Sequence, residues 1–352
     1  MKKALQDFTS PLRSWGLRHL PVVGLAALSV QPASAVKWVG PSTPTDFNSS
    51  ANWNGGTVPG SGDQALFQYS ANATLSSDIT IGYVNASVSW NPGLVGNVTI
   101  DAGANTLTID SPSSIYADAS ATGSATLNLK GNIALATSDP TIAAGATSRI
   151  VLDSATLSSS GAGFVPFVGG GTVELSNSST ASSVTRLIVN NATSLEVSGT
   201  STVNGNLEVK NGSSLVVGGT SSLTVTGNIL PSSGTPDSKW VIDLAGTSPD
   251  TALISATDID VSDIALDLSN VPTYVSSTTP YVLATYSGTL TGNEFASVTG
   301  LGNNQIVYNF GPNANQIAII PELSHAAPLL SGLLPLLMVR VRRRRGSSLV
   351  AK

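Results

Sequence analysis

Residues 186–203 read RLIVNNATSLEVSGTSTV, and residues 206–223 read NLEVKNGSSLVVGGTSSL. Shifted by 20 positions and without gaps, the two stretches share nine identities in eighteen positions. Apolar and polar residues alternate within each stretch, which is the pattern of a half-buried strand. A repeat of about 20 to 50 residues indicates stacked supersecondary units that bury a common core. We therefore predict one solenoid coil per repeat, with these inward residues stacked in pairs: Leu187 and Leu207, Val189 and Val209, Leu195 and Leu215, Val197 and Val217, and Val203 and Leu223.

Short alternating segments recur upstream, for example at residues 106–109, 125–129, 149–152 and 172–175, separated by Gly, Asn, Ser and Asp. No window of a dozen residues carries the 3.6-residue apolar stripe of an amphipathic helix. We therefore expect an all-β fold, built as a right-handed β-solenoid. Because the upstream repeats are less regular, a β-sandwich is the alternative.

Composition limits the chemistry. Cysteine is absent, and the two histidines, His19 and His325, lie at the two ends of the chain. The body at residues 36–320 therefore lacks the side chains for Ser-His-Asp triads, Cys nucleophiles and His- or Cys-ligated zinc. That body holds six basic and nineteen acidic residues, a formal charge of −13. An acidic balance argues against a nucleic-acid partner.

The first 35 residues have the organisation of a secretory signal peptide. A basic region with Lys2, Lys3, Arg13 and Arg18 precedes an uncharged apolar stretch at residues 20–30. The Ala33-Ser34-Ala35 sequence that follows is a small-x-small cleavage site, and we predict cleavage after Ala35. An eleven-residue apolar core is too short to span a bilayer comfortably, and the alternative is an uncleaved amphipathic helix.

The C-terminus has a different arrangement. Residues 323–339 contain no Lys, Arg, Asp or Glu, and at about 1.5 Å per residue this stretch is just long enough for one membrane crossing. Five arginines follow and would hold the C-terminus in the cytoplasm: Arg340, Arg342, Arg343, Arg344 and Arg345. We expect a transmembrane helix, and the alternative is a terminal helix packed on its own domain.

The order of Pro321-Glu322-Leu323, an apolar stretch and an arginine cluster resembles a PEP-CTERM sorting tail. In that family a Pro-Glu-Pro motif precedes a membrane helix and a basic end. The resemblance implies an exosortase-type processing enzyme of Gram-negative bacteria as a partner. Leu323 departs from the family pattern, which usually has a second proline at that position.

The exported body resembles secreted β-helical proteins of the autotransporter-passenger type. The likeness at its start rests on Asn52-Trp53, Gly55, Pro59, Asp63 and Phe67. We expect Trp38, Trp53 and Phe67 to cap the open end of the solenoid, since an uncapped coil exposes its core and strand edges. The alternative is that Trp53 is a sugar-stacking platform. Residues 281–320 resemble the closing strands of such passengers.

An aspartate cluster near the C-terminus has two interpretations: Asp250, Asp258, Asp260, Asp263 and Asp267. It could bind calcium or supply acid-base groups to a polysaccharide-active enzyme. Alternation instead points Asp260 outward, and no glycine completes an EF-hand pattern at residues 258–263, so we favour solvent-facing acids. We expect no catalytic residue, metal site or cofactor.

These features divide the chain into five predicted segments: a signal peptide at 1–35, an N-terminal cap at 36–70, a solenoid at 71–235, a C-terminal strand region at 236–320 and a sorting tail at 321–352. The sequence favours an exported, non-enzymatic structural protein of the cell surface or extracellular matrix. It would be held in the membrane by its tail before processing and released to the surface afterwards. An adhesin that binds glycan through exposed strands, Trp53 or Trp90 is the alternative. A polysaccharide lyase is less favoured because the six bases of the body are scattered.

Overall fold

The computed structural model describes residues 34–87, 95–112, 114–118, 123–160, 163–231, 238–273, 275 and 279–322. Within these residues the chain forms a β-solenoid of about nine turns, with one short 3₁₀ turn at Ser50–Asn52 and no α-helix. Strands from successive turns pair in parallel and build three ladders, called A, B and C here. The β-sandwich alternative is wrong, because sandwich sheets are antiparallel and these ladders are parallel except at one end.

Ladder A contains eleven strands, in this order: β1 (Ala35–Lys37), β3 (Gln64–Phe67), β6 (Tyr83–Ser87), β8 (Ile115–Asp118), β10 (Ile142–Ala144), β12 (Phe164–Val168), β15 (Arg186–Val189), β18 (Asn206–Val209), β21 (Ile229–Pro231), β24 (Ile259–Asp260) and β27 (Leu290–Thr291).

Ladders B and C share three long strands that turn a corner between them: β7 (Val95–Ile109), β9 (Ser124–Leu135) and β11 (Arg149–Ser159). The other strands of ladder B are β2 (Thr45–Asp46), β4 (Ala71–Thr74), β13 (Thr172–Ser176), β16 (Ser194–Ser198), β19 (Ser214–Gly218), β22 (Ser238–Asp243), β25 (Ile264–Ser269) and β28 (Ser297–Thr299). The other strands of ladder C are β5 (Ile79–Ile81), β14 (Thr180–Ser182), β17 (Thr200–Val203), β20 (Ser222–Val225), β23 (Ile254–Ala256), β26 (Tyr281–Tyr286), β29 (Asn304–Phe310) and β30 (Gln316–Pro321).

Tight corners between ladders B and C require left-handed backbone. In β9 the corner falls at Gly131, with φ of +77°. A Cβ atom there would lie 2.8 Å from the carbonyl oxygen of Gly103, the corner residue of the preceding turn, so only glycine fits. In β11 the same corner is formed by Ser154 at φ of +53°.

The core consists of the inward-facing side chains, which occupy every second position along the strands, as the alternation predicts. The stacking predicted from the repeat is confirmed in ladders A and B: Leu187 pairs with Leu207, Val189 with Val209, Leu195 with Leu215 and Val197 with Val217. One prediction is wrong. Val203 pairs with Val225, and Leu223 pairs with Ser201, so the shift in ladder C is 22 residues.

The cause of the slip is a longer turn. Strands β16 and β17 are separated by Gly199 alone, whereas β19 and β20 are separated by three residues, Gly219, Thr220 and Ser221. The identical Gly-Thr-Ser letters therefore occupy different structural positions in the two turns. The two extra residues move ladder C by one full alternation, so Leu223 still faces inward.

Ladder pairing is continuous across the boundaries drawn at residues 70 and 235. In ladder A, β1 pairs with β3 and β3 with β6, and in ladder B, β19 pairs with β22 and β22 with β25. Parallel pairing continues to β27 in ladder A and to β28 in ladder B. In ladder C, β26 pairs with β30 in antiparallel fashion, and β29 closes a hairpin with β30.

Candidate functional site

Four aromatic side chains are packed together at the N-terminal end of the coil. Trp53 lies with its ring centroid 4.9 Å from those of Trp38 and Phe47 and 5.7 Å from that of Phe67, each in an edge-on arrangement. All four are buried, and the indole nitrogen of Trp53 donates a hydrogen bond to the carbonyl of Phe47 at 2.7 Å. Trp53 is 2% exposed, so the alternative that it is a sugar-stacking platform is wrong. Trp90 lies outside the described residues.

A second aromatic group lies near the C-terminal end. Trp240 in β22 is fully buried, and its ring centroid is 5.5 Å from that of Phe295, which lies 6.0 Å from Tyr308 in β29. The Tyr308 hydroxyl accepts a hydrogen bond from the Phe295 amide at 2.9 Å, and burial raises the pKa of Tyr308. No motif in the sequence singles out Trp240. Its position among the alternating residues of a strand indicates only that it faces inward.

One ion-pair network joins three successive turns on the outer surface of ladder B. The Arg149 guanidinium donates to one carboxylate oxygen of Glu174 at 2.8 and 3.0 Å and to Glu196 at 2.6 Å. Glu174 and Glu196 are direct neighbours across β13 and β16. Partial burial lowers the pKa of Arg149, but the hydrogen bonds and charges of the two glutamates outweigh it and leave that pKa raised. The cation therefore neutralises two like charges that would otherwise repel.

Other cations of the described body are also engaged. Lys130 pairs with Asp153 at 2.7 Å, and Glu208 pairs with both Arg186 at 3.2 Å and Lys210 at 3.0 Å. Hydrogen bonds from Lys130 and from the Asn177 amide lower the pKa of Asp153. The Asp153 hydrogen bond raises the pKa of Lys130, although burial opposes it.

The remaining two cations of the described body show no ion pair. Lys37 lies 5.3 Å from the centroid of the Tyr69 ring, and Lys239 has no ion-pair partner among the described residues.

Aspartates near the C-terminus accept hydrogen bonds, either within one turn of the solenoid or from the neighbouring turn. Asp258 accepts hydrogen bonds from the Thr289 amide and hydroxyl at 2.7 and 3.0 Å. Asp260 is half-buried on the outer side of ladder A and accepts from the Ser262 amide and hydroxyl. Asp267 accepts from the Thr299 hydroxyl at 2.6 Å. Within the described ranges, no three His, Cys, Asp or Glu side chains are grouped as a metal site would require.

The predicted processing sites meet the coil at its two edges. Ala35 is the first residue of β1 and pairs with Gln64, whose amide donates to the Ser34 carbonyl at 2.8 Å, so the predicted cleavage falls inside β1. Pro321 is the last residue of β30. The Glu322 amide donates to the Asn303 carbonyl at 3.2 Å. Ala33, Leu323 and the arginines lie outside the described residues: Arg340, Arg342, Arg343, Arg344 and Arg345.

Among the residues that the structure describes, no helix has the length and apolar character needed to cross a bilayer, and residues 323–339 fall outside that set. In comparisons with known proteins, no family model matches the chain, and neither a curated protein nor a solved structure matches it.

Proposed function

We propose that this chain is an exported, non-enzymatic structural protein of a bacterial surface or extracellular matrix, built as a right-handed β-solenoid. The observation that carries the proposal is the use of its charged side chains. Four of the six cations in the described body are bound in ion pairs across or beside neighbouring strands. The body contains neither histidine nor cysteine. A glycan lyase needs a base poised at a substrate, and these four cations are instead occupied in ion pairs, three of which link neighbouring turns through Lys130, Arg149 and Arg186.

The tail supports the sorting part of the proposal. Among the described residues the last strand, β30, ends at Pro321, and Glu322 is exposed. A processing enzyme acting at the Pro321-Glu322-Leu323 motif would therefore cut directly beyond the folded coil. The amide of Glu322 is tied to Asn303, so the end of β30 would have to open for the motif to enter an active site. In this proposal the apolar segment and the arginines hold the chain in the membrane until that cut.

Mass spectrometry of the mature protein, recovered from a Gram-negative host that encodes an exosortase, tests both ends. We expect an N-terminus at Val36 and a C-terminus close to Pro321. A matched host without the exosortase should yield a chain that keeps residues 340–352. Retention of the tail in both hosts would contradict processing and would leave a simple membrane anchor.

The non-enzymatic part needs a separate assay. The full-length protein should leave neutral and acidic polysaccharides undegraded, as followed by reducing-end release. Depolymerisation of any of them by the parent protein would overturn this part of the proposal. The adhesin alternative loses the contribution of Trp53, because that ring is enclosed by Trp38, Phe47 and Phe67.

A further inference from the structure

The outer surface of ladder C carries one in-register column of uncharged hydrogen-bonding side chains over eight successive turns. The column contains six threonines, one serine and one asparagine, and each member pairs with the next: Thr106, Asn132, Thr156, Thr180, Thr202, Thr224, Ser255 and Thr285. All eight are half-buried or exposed. This column and a second one beside it, which is described next, together form a surface that we call the uncharged face.

A second column runs beside the first, two residues further along the strands. Its five members again pair in register: Thr80, Thr108, Ala134, Ser158 and Ser182. A strand that contributes to both columns therefore presents two outward residues separated by one inward residue, as in Thr106-Leu107-Thr108. The intervening residue Leu107 is fully buried, so the outward side chains are anchored by the core beneath them.

Serine and threonine are abundant in the whole chain, so hydroxyl groups alone would not mark this surface. The distribution of charged residues distinguishes this surface from the other two ladders. Ladder B carries most of the charged side chains of the described strands: Asp46, Asp101, Lys130, Arg149, Asp153, Glu174, Glu196, Lys239, Asp243 and Asp267. Ladder A carries Lys37, Asp118, Arg186, Glu208 and Asp260. The described segments that pair in ladder C contain no Lys, Arg, Asp or Glu, because the charged residues of β7, β9 and β11 lie in their ladder B halves, although the body is strongly acidic.

The spacing of the columns is fixed by the backbone. Neighbouring strands lie about 4.8 Å apart, and alternate residues along a strand lie about 6.6 Å apart. The uncharged face is thus a two-dimensional lattice of hydroxyl and methyl groups. Hexagonal ice repeats along its a axis at nearly the strand-to-strand distance, so water held in register with these side chains would match the order of an ice surface.

The chemistry favours ice over a glycan. Replacing water by sugar hydroxyls against a row of hydroxyl groups gains little net free energy. Glycan sites usually add an aromatic ring that contributes stacking energy, and neither column holds one. An ice surface makes no such demand, because the bound water itself becomes part of the lattice. We propose that the uncharged face binds ice.

Ice adsorption and thermal hysteresis of the full-length protein test this proposal. The parent protein should be enriched in a slowly grown ice hemisphere and should lower the freezing point below the melting point. Thr180→Lys and Thr202→Lys place a charge in the centre of the uncharged face, and we expect each to lose most of both activities. Ser194→Lys and Ser214→Lys make the same change on ladder B and should retain both. The melting temperature of each variant verifies the fold.

Three results would overturn the proposal. The parent protein could be excluded from ice like an ordinary solute. The Thr180→Lys and Thr202→Lys variants could keep full activity while folded. The ladder B variants could lose activity to the same extent, which would indicate a non-specific effect of charge. Binding to crystalline cellulose in place of ice, lost in the same ladder C variants, would reassign the face to an uncharged glycan. None of these results depends on how the tail is processed, so they leave the proposed function separately testable.

Discussion

Removing the side chain of one core leucine should measure how strongly neighbouring turns depend on each other. Leu195 in β16 faces inward, with Val173 of the preceding turn and Leu215 of the following turn as its ladder neighbours. All three are fully buried. The perturbation is Leu195→Ala, which leaves the backbone of β16 and its outward residues unchanged.

The magnitude follows from the burial. The substitution removes three carbon atoms, and at about 0.8 kcal/mol per buried carbon the lost transfer energy is about 2.4 kcal/mol. A residual cavity adds to this value, because the two neighbouring turns are held by hydrogen bonds on their own ladders and collapse only partly. We therefore expect a loss of about 3–5 kcal/mol in the free energy of unfolding. Ser194→Ala on the outer side of the same strand should cost less than about 0.5 kcal/mol.

The coupling is the more specific quantity. In a double-mutant cycle, Leu195→Ala and Leu215→Ala share one cavity, so the double variant should depart from additivity by about 0.5–3 kcal/mol. Leu127 occupies the same inward column three turns away, and Leu127→Ala should add to Leu195→Ala within about 0.5 kcal/mol. Urea unfolding followed by circular dichroism supplies the free energies, with a check that the denaturant slope is equal in all variants.

The reasoning is refuted if Leu195→Ala costs no more than Ser194→Ala. It is equally refuted if the adjacent pair is additive while the distant pair is coupled. Either outcome would mean that Leu195 does not lie between Val173 and Leu215.

Further predictions concern an end of the coil, an ion pair and a turn. Trp53→Ala should destabilise the protein by about 3–5 kcal/mol in urea unfolding without changing glycan retention on affinity gels, since the ring is a buried cap; a lost glycan signal with unchanged stability would contradict this. Asp153→Asn should cost about 0.2–1 kcal/mol at neutral pH, as a partly exposed ion pair with Lys130 allows. The pKa of Asp153 is lowered in the fold. The difference in unfolding free energy between the variant and the parent should therefore be present above the unfolded-state pKa and vanish as the pH falls through the folded-state pKa. A difference that grows in acid would contradict this. Gly205→Ala should cost more than Gly212→Ala in thermal unfolding, because its Cβ would lie 2.0 Å from a backbone oxygen, whereas Gly212 has open space and only the roughly 1–2 kcal/mol of left-handed backbone to lose; equal costs would argue against that close approach.

The repeat in the sequence predicted ladders A and B correctly because both strands and their intervening turn have the same length in the two units. The pairing of Leu187 with Leu207 and of Leu195 with Leu215 is therefore encoded by spacing alone. In ladder C the observed pairing is shifted by two residues from the predicted one. Alternation is preserved when a turn grows by two residues, so the pattern of apolar residues does not reveal the change.

The contacts within the candidate sites were much harder to predict. Arg149 meets Glu174 and Glu196 only because three turns stack in one particular register, and no local pattern links residues 25 and 47 positions apart. The contact of Trp240 with Phe295 has the same character. The aromatic cluster around Trp53 could be predicted from the sequence, because open solenoid ends must be covered. The uncharged face required the full pairing scheme, because its members are distributed along the chain from Thr80 to Thr285.

The stacking register is the central claim, because it places the threonines of ladder C in one column, and cysteine cross-linking tests it most directly. The chain has no native cysteine to interfere. In this register Thr202 lies opposite Thr224, with Cα atoms about 4.8 Å apart, whereas Ser222 is a diagonal neighbour at about 7–8 Å. Disulfides form readily below about 7 Å between Cα atoms. We predict that the pair Thr202→Cys with Thr224→Cys oxidises rapidly and that the pair Thr202→Cys with Ser222→Cys does not; the reverse order of rates would contradict the register and the uncharged face built on it.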